Sequence, residues 1–199
     1  NSEQHYVVEE SGFLTKNVES ETFINETLLY TCSKDVFFYT TDDEISFNVD
    51  FIHEGSKHNV IKRFFFSKDS YLVFVKYFIK NVSQEVFERY LYGKIKTYNK
   101  DSDSSWFKNF TASQAFTGFA VGTDKKKFNK IFFSTIAKDA FSITSSGGWI
   151  SLLEHYFLFS FIFSDKNSYQ FEAYFSVDNA YTFQFTKLAP VIVEPSHDA

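Results

Sequence analysis

Apolar and polar residues alternate with a period of two through most of this chain. Phe171, Ala173, Phe175 and Val177 alternate with Glu172, Tyr174 and Ser176; after an Asp178-Asn179 turn, Tyr181, Phe183 and Phe185 alternate with Thr182, Gln184 and Thr186. Ile45, Phe47, Val49 and Phe51 follow the same rule against Ser46, Asn48 and Asp50. Successive side chains of a strand point to opposite faces, so this pattern marks strands with one wet face. Residues 71–79 (YLVFVKYFI) are apolar on both parities, which predicts a strand covered on both sides. Residues 60–66 precede them across Ser67-Lys68-Asp69-Ser70, a loop with hairpin chemistry. Residues 86–97 read as a further strand, broken or bulged at Gly93. Many strands joined by short polar turns predict a mainly β, antiparallel two-sheet sandwich. A chain of 199 residues suffices for one such domain, and its 28 Phe and 12 Tyr suit β structure. No linker or repeat divides it, and residues 99–109 read as a loop within a single domain over 1–199.

One segment departs from the rule. Trp149, Leu152, Leu153, Tyr156 and Phe157 fall at i, i+3, i+4, i+7 and i+8, which predicts a principal short α-helix at 148–158. Ser145 and Ser146 would cap it, and Gly147 and Gly148 would permit a sharp entry. Trp149, Leu153, Tyr156 and Phe157 then share one face, so the segment is expected to be structural.

Charge and composition exclude several function classes. A net charge of −5 argues against nucleic acid, whose affinity comes from neutralised phosphates. The basic run Lys125-Lys126-Lys127 reads as a solvated turn. The single Cys32 leaves no internal disulfide framework. No stretch of ~18 apolar residues could span a bilayer as a helix, and the longest greasy run, 156–163, is far shorter. Asp101-Ser102-Asp103-Ser104-Ser105 imitates the start of a calcium loop. Trp106 and Ala112, however, stand where that loop needs glycine and glutamate. His5, His53, His58, His155 and His197 form no metal-ligand spacing, and no nucleophile elbow or phosphate loop is present. Neither catalytic residues nor a metal or cofactor are expected.

Residues 143–157, Ile-Thr-Ser-Ser-Gly-Gly-Trp-Ile-Ser-Leu-Leu-Glu-His-Tyr-Phe, resemble a stretch near the end of the large periplasmic domain of the bacterial membrane-protein insertase family YidC. That stretch reads I-x-S-x-G-G-W, a hydrophobic residue, x, L or M, three residues, then Y-F. The flanks agree in order: Phe116-Thr117-Gly118-Phe119-Ala120, a Lys-rich turn and Phe133-Ser134-Thr135-Ile136 upstream, and Ala189-Pro190-Val191-Ile192-Val193-Glu194-Pro195 downstream. Residues 6–94 follow the family's strand order with weaker identity.

The resemblance implies a β-supersandwich similar to galactose mutarotases. It also implies a piece of a longer protein, without its membrane anchor, the first strands of the domain and the membrane-embedded core. It places the domain on the periplasmic face of the inner membrane as an accessory to insertion and folding of membrane proteins. It would act by contact with Sec translocon components and SecD/SecF-like proteins, not by catalysis, while nascent membrane proteins meet the full-length protein. Within it, Gly147, Gly148, Trp149, Leu153, Tyr156 and Phe157 are the family motif, and Pro190, Val191, Val193 and Pro195 a docking segment. The competing reading from another class is a carbohydrate-binding or aldose-epimerase-like sandwich.

Overall fold

A computed structural model describes residues 7–17, 22–25, 28–33, 46–98, 116, 118–154 and 157–195. The chain divides into two compact units, Asn1–Ile24 with Tyr90–Pro190 and Asn25–Arg89 with Val191–Ala199. In chain order the strands are β1 (Val7–Lys16), β2 (Phe23–Asn25), β3 (Thr31–Cys32), β4 (Ser46–Glu54), β5 (His58–Ser67), β6 (Phe74–Asn81) and β7 (Phe87–Thr97). There follow β8 (Gly118–Gly122), β9 (Asn129–Ile131), helix α1 (Phe133–Ile136), β10 (Phe141–Leu153), β11 (Leu158–Phe175), β12 (Tyr181–Lys187) and β13 (Val191–Val193). The mainly β class with antiparallel sheets is the one the alternation demanded.

The larger unit is one wide sheet in the order β2-β1-β7-β12-β11-β10-β8-β9. Its register keeps like with like across strands. Ile95 pairs with Phe183, Phe183 with Ala173 and Ala173 with Phe141, while one residue along Lys94 pairs with Gln184, Gln184 with Glu172 and Glu172 with Ser142. Slipping any strand by one residue would carry its apolar set to the polar face, so burial locks the register. The apolar face forms the core, where Phe119, Ile150, Leu152, Phe171, Ala173 and Phe183 are completely buried. Phe119 packs edge-on against Phe133 of α1, and its ring centroid lies 5.2 Å from that of Phe183. At the β11–β12 turn Asn179 takes φ 60°, a left-handed conformation that Asn tolerates better than most residues.

Three sequence expectations need correction. Among the described residues of 148–158 no helix forms: residues through Leu153 continue β10 and Leu158 opens β11, the two strands pairing antiparallel. Ile150 and Leu152 are fully buried on one face, and Trp149 and Leu153 are partly buried on the other. A strand apolar on both faces, followed by a turn that resets the parity, mimics a helical period. Among the described residues the helix lies instead at Phe133–Ile136 and is four residues long. Gly93 neither breaks nor bulges β7, whose pairing with β1 and β12 runs through it unshifted. A Cβ there would lie 2.4 Å from the Phe185 ring, so this glycine makes room for an aromatic.

The smaller unit carries the sheet β3-β4-β5-β6, with Val49 and Val60 buried. Within it β13 pairs with the start of β7, Val191 opposite Arg89 and Val193 opposite Phe87. The third correction is at β6, expected to be covered on both sides. Phe74, Lys76, Phe78 and Lys80 are exposed along one face. The apolar run reflects an edge strand whose exposed phenylalanines are interleaved with lysines, a charged edge that resists further pairing.

Candidate functional site

The GGW hairpin is built on three glycines. Gly147 and Gly148 have φ of 68° and 113°, and the β10–β11 register shifts between Ser146 and Gly148. Such a bulge in the left-handed region is a place for glycine. A Cβ on Gly147 would sit 2.6 Å from the Asp165 carbonyl oxygen, and one on Gly148 2.2 Å from that of Gly122. Trp149 lies across Gly122, where an added Cβ would meet the indole Nε1 at 2.1 Å, and its ring centroid is 5.8 Å from that of Phe128. Leu153 pairs with Leu158 at the hairpin end, and Phe157 is exposed in the turn, its carbonyl accepting from the Glu154 N–H. Tyr156 falls outside the described residues, as do His5, His155, His197 and the 101–105 acidic loop.

The opposite face of the core strands is polar from β1 to β10. Its central row is Glu10, Lys94, Gln184, Glu172 and Ser142, with Tyr92, Thr186, Gln170 and Thr144 to one side and Lys96, Thr182 and Tyr174 to the other. Long side chains cover the small ones, so that Thr182 and Thr186 are buried. Lys94 Nζ lies 2.9 Å from Glu10 Oε1, and the Tyr92 hydroxyl donates to the same oxygen at 2.6 Å. Burial works against the Glu10 charge, but Tyr92 and Lys94 outweigh it and hold the carboxyl below its usual value. Asp178 accepts from Ser176, from Lys96 at 2.9 Å and from Tyr98 at 3.1 Å, which hold it well below the carboxylate range. Glu172 behaves oppositely: burial pushes it up, and no hydrogen bond or ion pair reaches it among the described residues.

Arranged this way, the face offers hydroxyls, amides and one uncompensated carboxylate, but no described histidine to complete an acid–base pair. His53 and His58 belong to the smaller unit, 5.9 Å apart between ring centroids. His53 Nδ1 is 2.9 Å from the Leu29 carbonyl oxygen, and His58 packs edge-on against Phe87. Among the described residues no group of three or more His, Cys, Asp or Glu could hold a metal ion. In the segment expected to dock, Val191 and Val193 are tied into β13, and the Asn81 amide donates to the Val193 carbonyl at 3.0 Å. Pro190 and Pro195 flank that strand, both half-buried. Sequence reasoning did not single out Glu172 as a site residue; the signal available was its parity with Gln184 and Lys94, which only the strand order turns into a row.

The family model described as the YidC periplasmic domain matches residues 1–199. Among curated relatives, the membrane protein insertase YidC of Cellvibrio japonicus is 29% identical over 98% of this chain and 34% of its own length. The protein of that name from Wigglesworthia glossinidia brevipalpis is 28% identical over 81% of this chain and 30% of its own length. That of Tolumonas auensis reaches 35% over 52% of this chain and 19% of its own length. The chain thus spans about a third or less of the length of the relatives it matches.

Proposed function

The chain belongs to the YidC periplasmic domain family, and from that premise we propose that it is the periplasmic accessory domain of a membrane-protein insertase, working through protein contacts and not through catalysis. The family match over the whole chain carries this reading. No described helix is long and apolar enough to cross a membrane, so moving a substrate into lipid would fall to other parts of a full-length protein. The domain would contribute docking, with Sec translocon components and SecD/SecF-like proteins as partners. Nascent membrane proteins would be met by the full-length protein.

Complementation of an insertase-depleted strain tests this, using full-length protein that carries variants along the domain. Glu172→Ala and Lys126→Ala should leave insertion nearly intact, and strong losses should fall in the C-terminal third, including residues 190–195. Null variants clustered on the polar face of β7, with folding intact, would instead favour the second reading. That reading is a carbohydrate site on the polar face, and the half-buried Glu172 without a cation is what speaks for it. Glycan titration followed by NMR shifts, with an anomerisation assay, separates the two.

A further inference from the structure

One end of the large sheet exposes an apolar plate that the protein-contact reading does not use. Phe128, Phe132, Phe157, Leu158 and Ile162 are 46–64% exposed there. The register places two of them, Leu158 and Ile162, on one face with Trp149, and the Phe128 ring lies 5.8 Å from the Trp149 ring between centroids. Trp149 pairs with Ile162 and Gly122, Ser151 with Ser160 and Ala120, and Leu153 with Leu158 and Gly118, so these side chains share a face. Ala120 also pairs with Lys130, placing that lysine on the same face. The Lys130 ammonium stands 4.8 Å from the centroid of the Phe116 ring, which packs edge-on against Phe132.

Lys125, Lys126 and Lys127 lie in the β8–β9 loop beside the plate, the Lys127 carbonyl being 2.7 Å from where a Gly122 Cβ would sit under the Trp149 indole. A chain of net charge −5 thus places four lysines within six residues at the rim of its apolar plate. None of the four pairs with a carboxylate among the described residues; Lys126 reaches only the Asn129 side chain. The nearby acid, Asp124, accepts from Ser145 and from the Lys125 N–H.

We propose that this plate docks on an anionic lipid surface. Phe157, Leu158 and Ile162 would enter the boundary between headgroups and acyl chains, Trp149 would lie at headgroup level, and Lys125, Lys126, Lys127 and Lys130 would face lipid phosphates. Exposed aliphatic and aromatic side chains ringed by lysine are the composition of an interfacial anchor. A protein partner is disfavoured, because lysine is depleted in protein interfaces. A second copy is disfavoured too, because a two-fold contact would set the same lysines against each other. The proposal needs only the periplasmic placement of the family and is independent of the translocon contacts.

Vesicle co-sedimentation of the 199-residue chain tests it. Vesicles with about one third phosphatidylglycerol should bind at least about tenfold more chain than pure phosphatidylcholine. Leu158→Ser with Ile162→Ser, and separately Lys125→Glu with Lys126→Glu and Lys127→Glu, should each remove that preference while circular dichroism stays native. The exposed pair Tyr71→Ser with Val177→Ser should leave it unchanged. In a Trp106→Phe background, brominated acyl chains should quench Trp149. Equal binding to both vesicle types, or equal loss in the control pair, would overturn the proposal. So would a wild-type dimer that Leu158→Ser with Ile162→Ser dissolves, which would assign the plate to a second copy.

Discussion

Phe183 and Gln184 are neighbours on β12, yet they belong to different physical regimes. On the Phe183 side the sheet is a continuous aromatic core: Phe183 is fully buried with Phe171 and Phe119, and Phe185 is nearly so. On the Gln184 side polar groups bond one another across strands: Thr144 donates to Gln170, Gln170 to Ser142 and Tyr174 to Gln184. The first face gains free energy in proportion to apolar area removed from water. The second exchanges hydrogen bonds with water for hydrogen bonds within the protein, at small net gain. Stability should therefore be concentrated on one face, leaving residues of the other free to be changed at little cost in folding.

Phe183→Ala should break the core face, with a loss of about 3–5 kcal/mol measured by urea denaturation. Gln184→Ala, one residue away, should stay within about 0.5 kcal/mol. Comparable losses at both positions would mean that the polar face is held as tightly as the core. Gly148→Ala comes next, because it puts a Cβ at φ 113° and 2.2 Å from a backbone oxygen that cannot move aside. Strain alone should cost about 1–3 kcal/mol, whereas Gly12→Ala meets only ordinary contact with Tyr92 and should be nearly silent. Equal thermal midpoints for the two alanine variants would remove the bulge from the explanation.

The smallest effects sharpen the polar side. Glu10 has a folded-state pKa below its ordinary 4.5, so its stabilisation is present above about that pH and is lost as the pH falls through the folded value. Glu172 has a folded-state pKa above 4.5, so it binds its proton more tightly when folded and weakens the fold as the pH rises through that window. At pH 7, Glu10→Gln should thus destabilise and Glu172→Gln should stabilise, each by less than about 1 kcal/mol after solvent screening. Denaturation series from pH 3 to 7 check the opposite slopes. The same sign for both would show that Glu172 has a cation partner in solution.

What the sequence determined by itself was the parity of its side chains. Alternation at 171–177 and 181–186 names which residues can share a face, because the period of a strand is a property of the backbone. Gly147 and Gly148 were legible as positions of unusual backbone geometry, but the sequence assigned that geometry to a helix entry, whereas it forms a left-handed bulge between β10 and β11. The misplaced helix at 148–158 shows the limit of such reasoning. Trp149, Ile150, Leu152 and Leu153 are apolar on both parities, and a pattern without alternation cannot distinguish a doubly covered strand from a helix. Tertiary structure decided that case, because β8 and β11 flank β10 and supply backbone partners on both edges. It also decided which residues of distant strands meet: Glu10 with Lys94, Glu172 with Gln184, and Lys130 in one row with Ser151. Parity is local and can be read along the chain, but strand order depends on contacts between distant segments, and only the folded sheet specifies them.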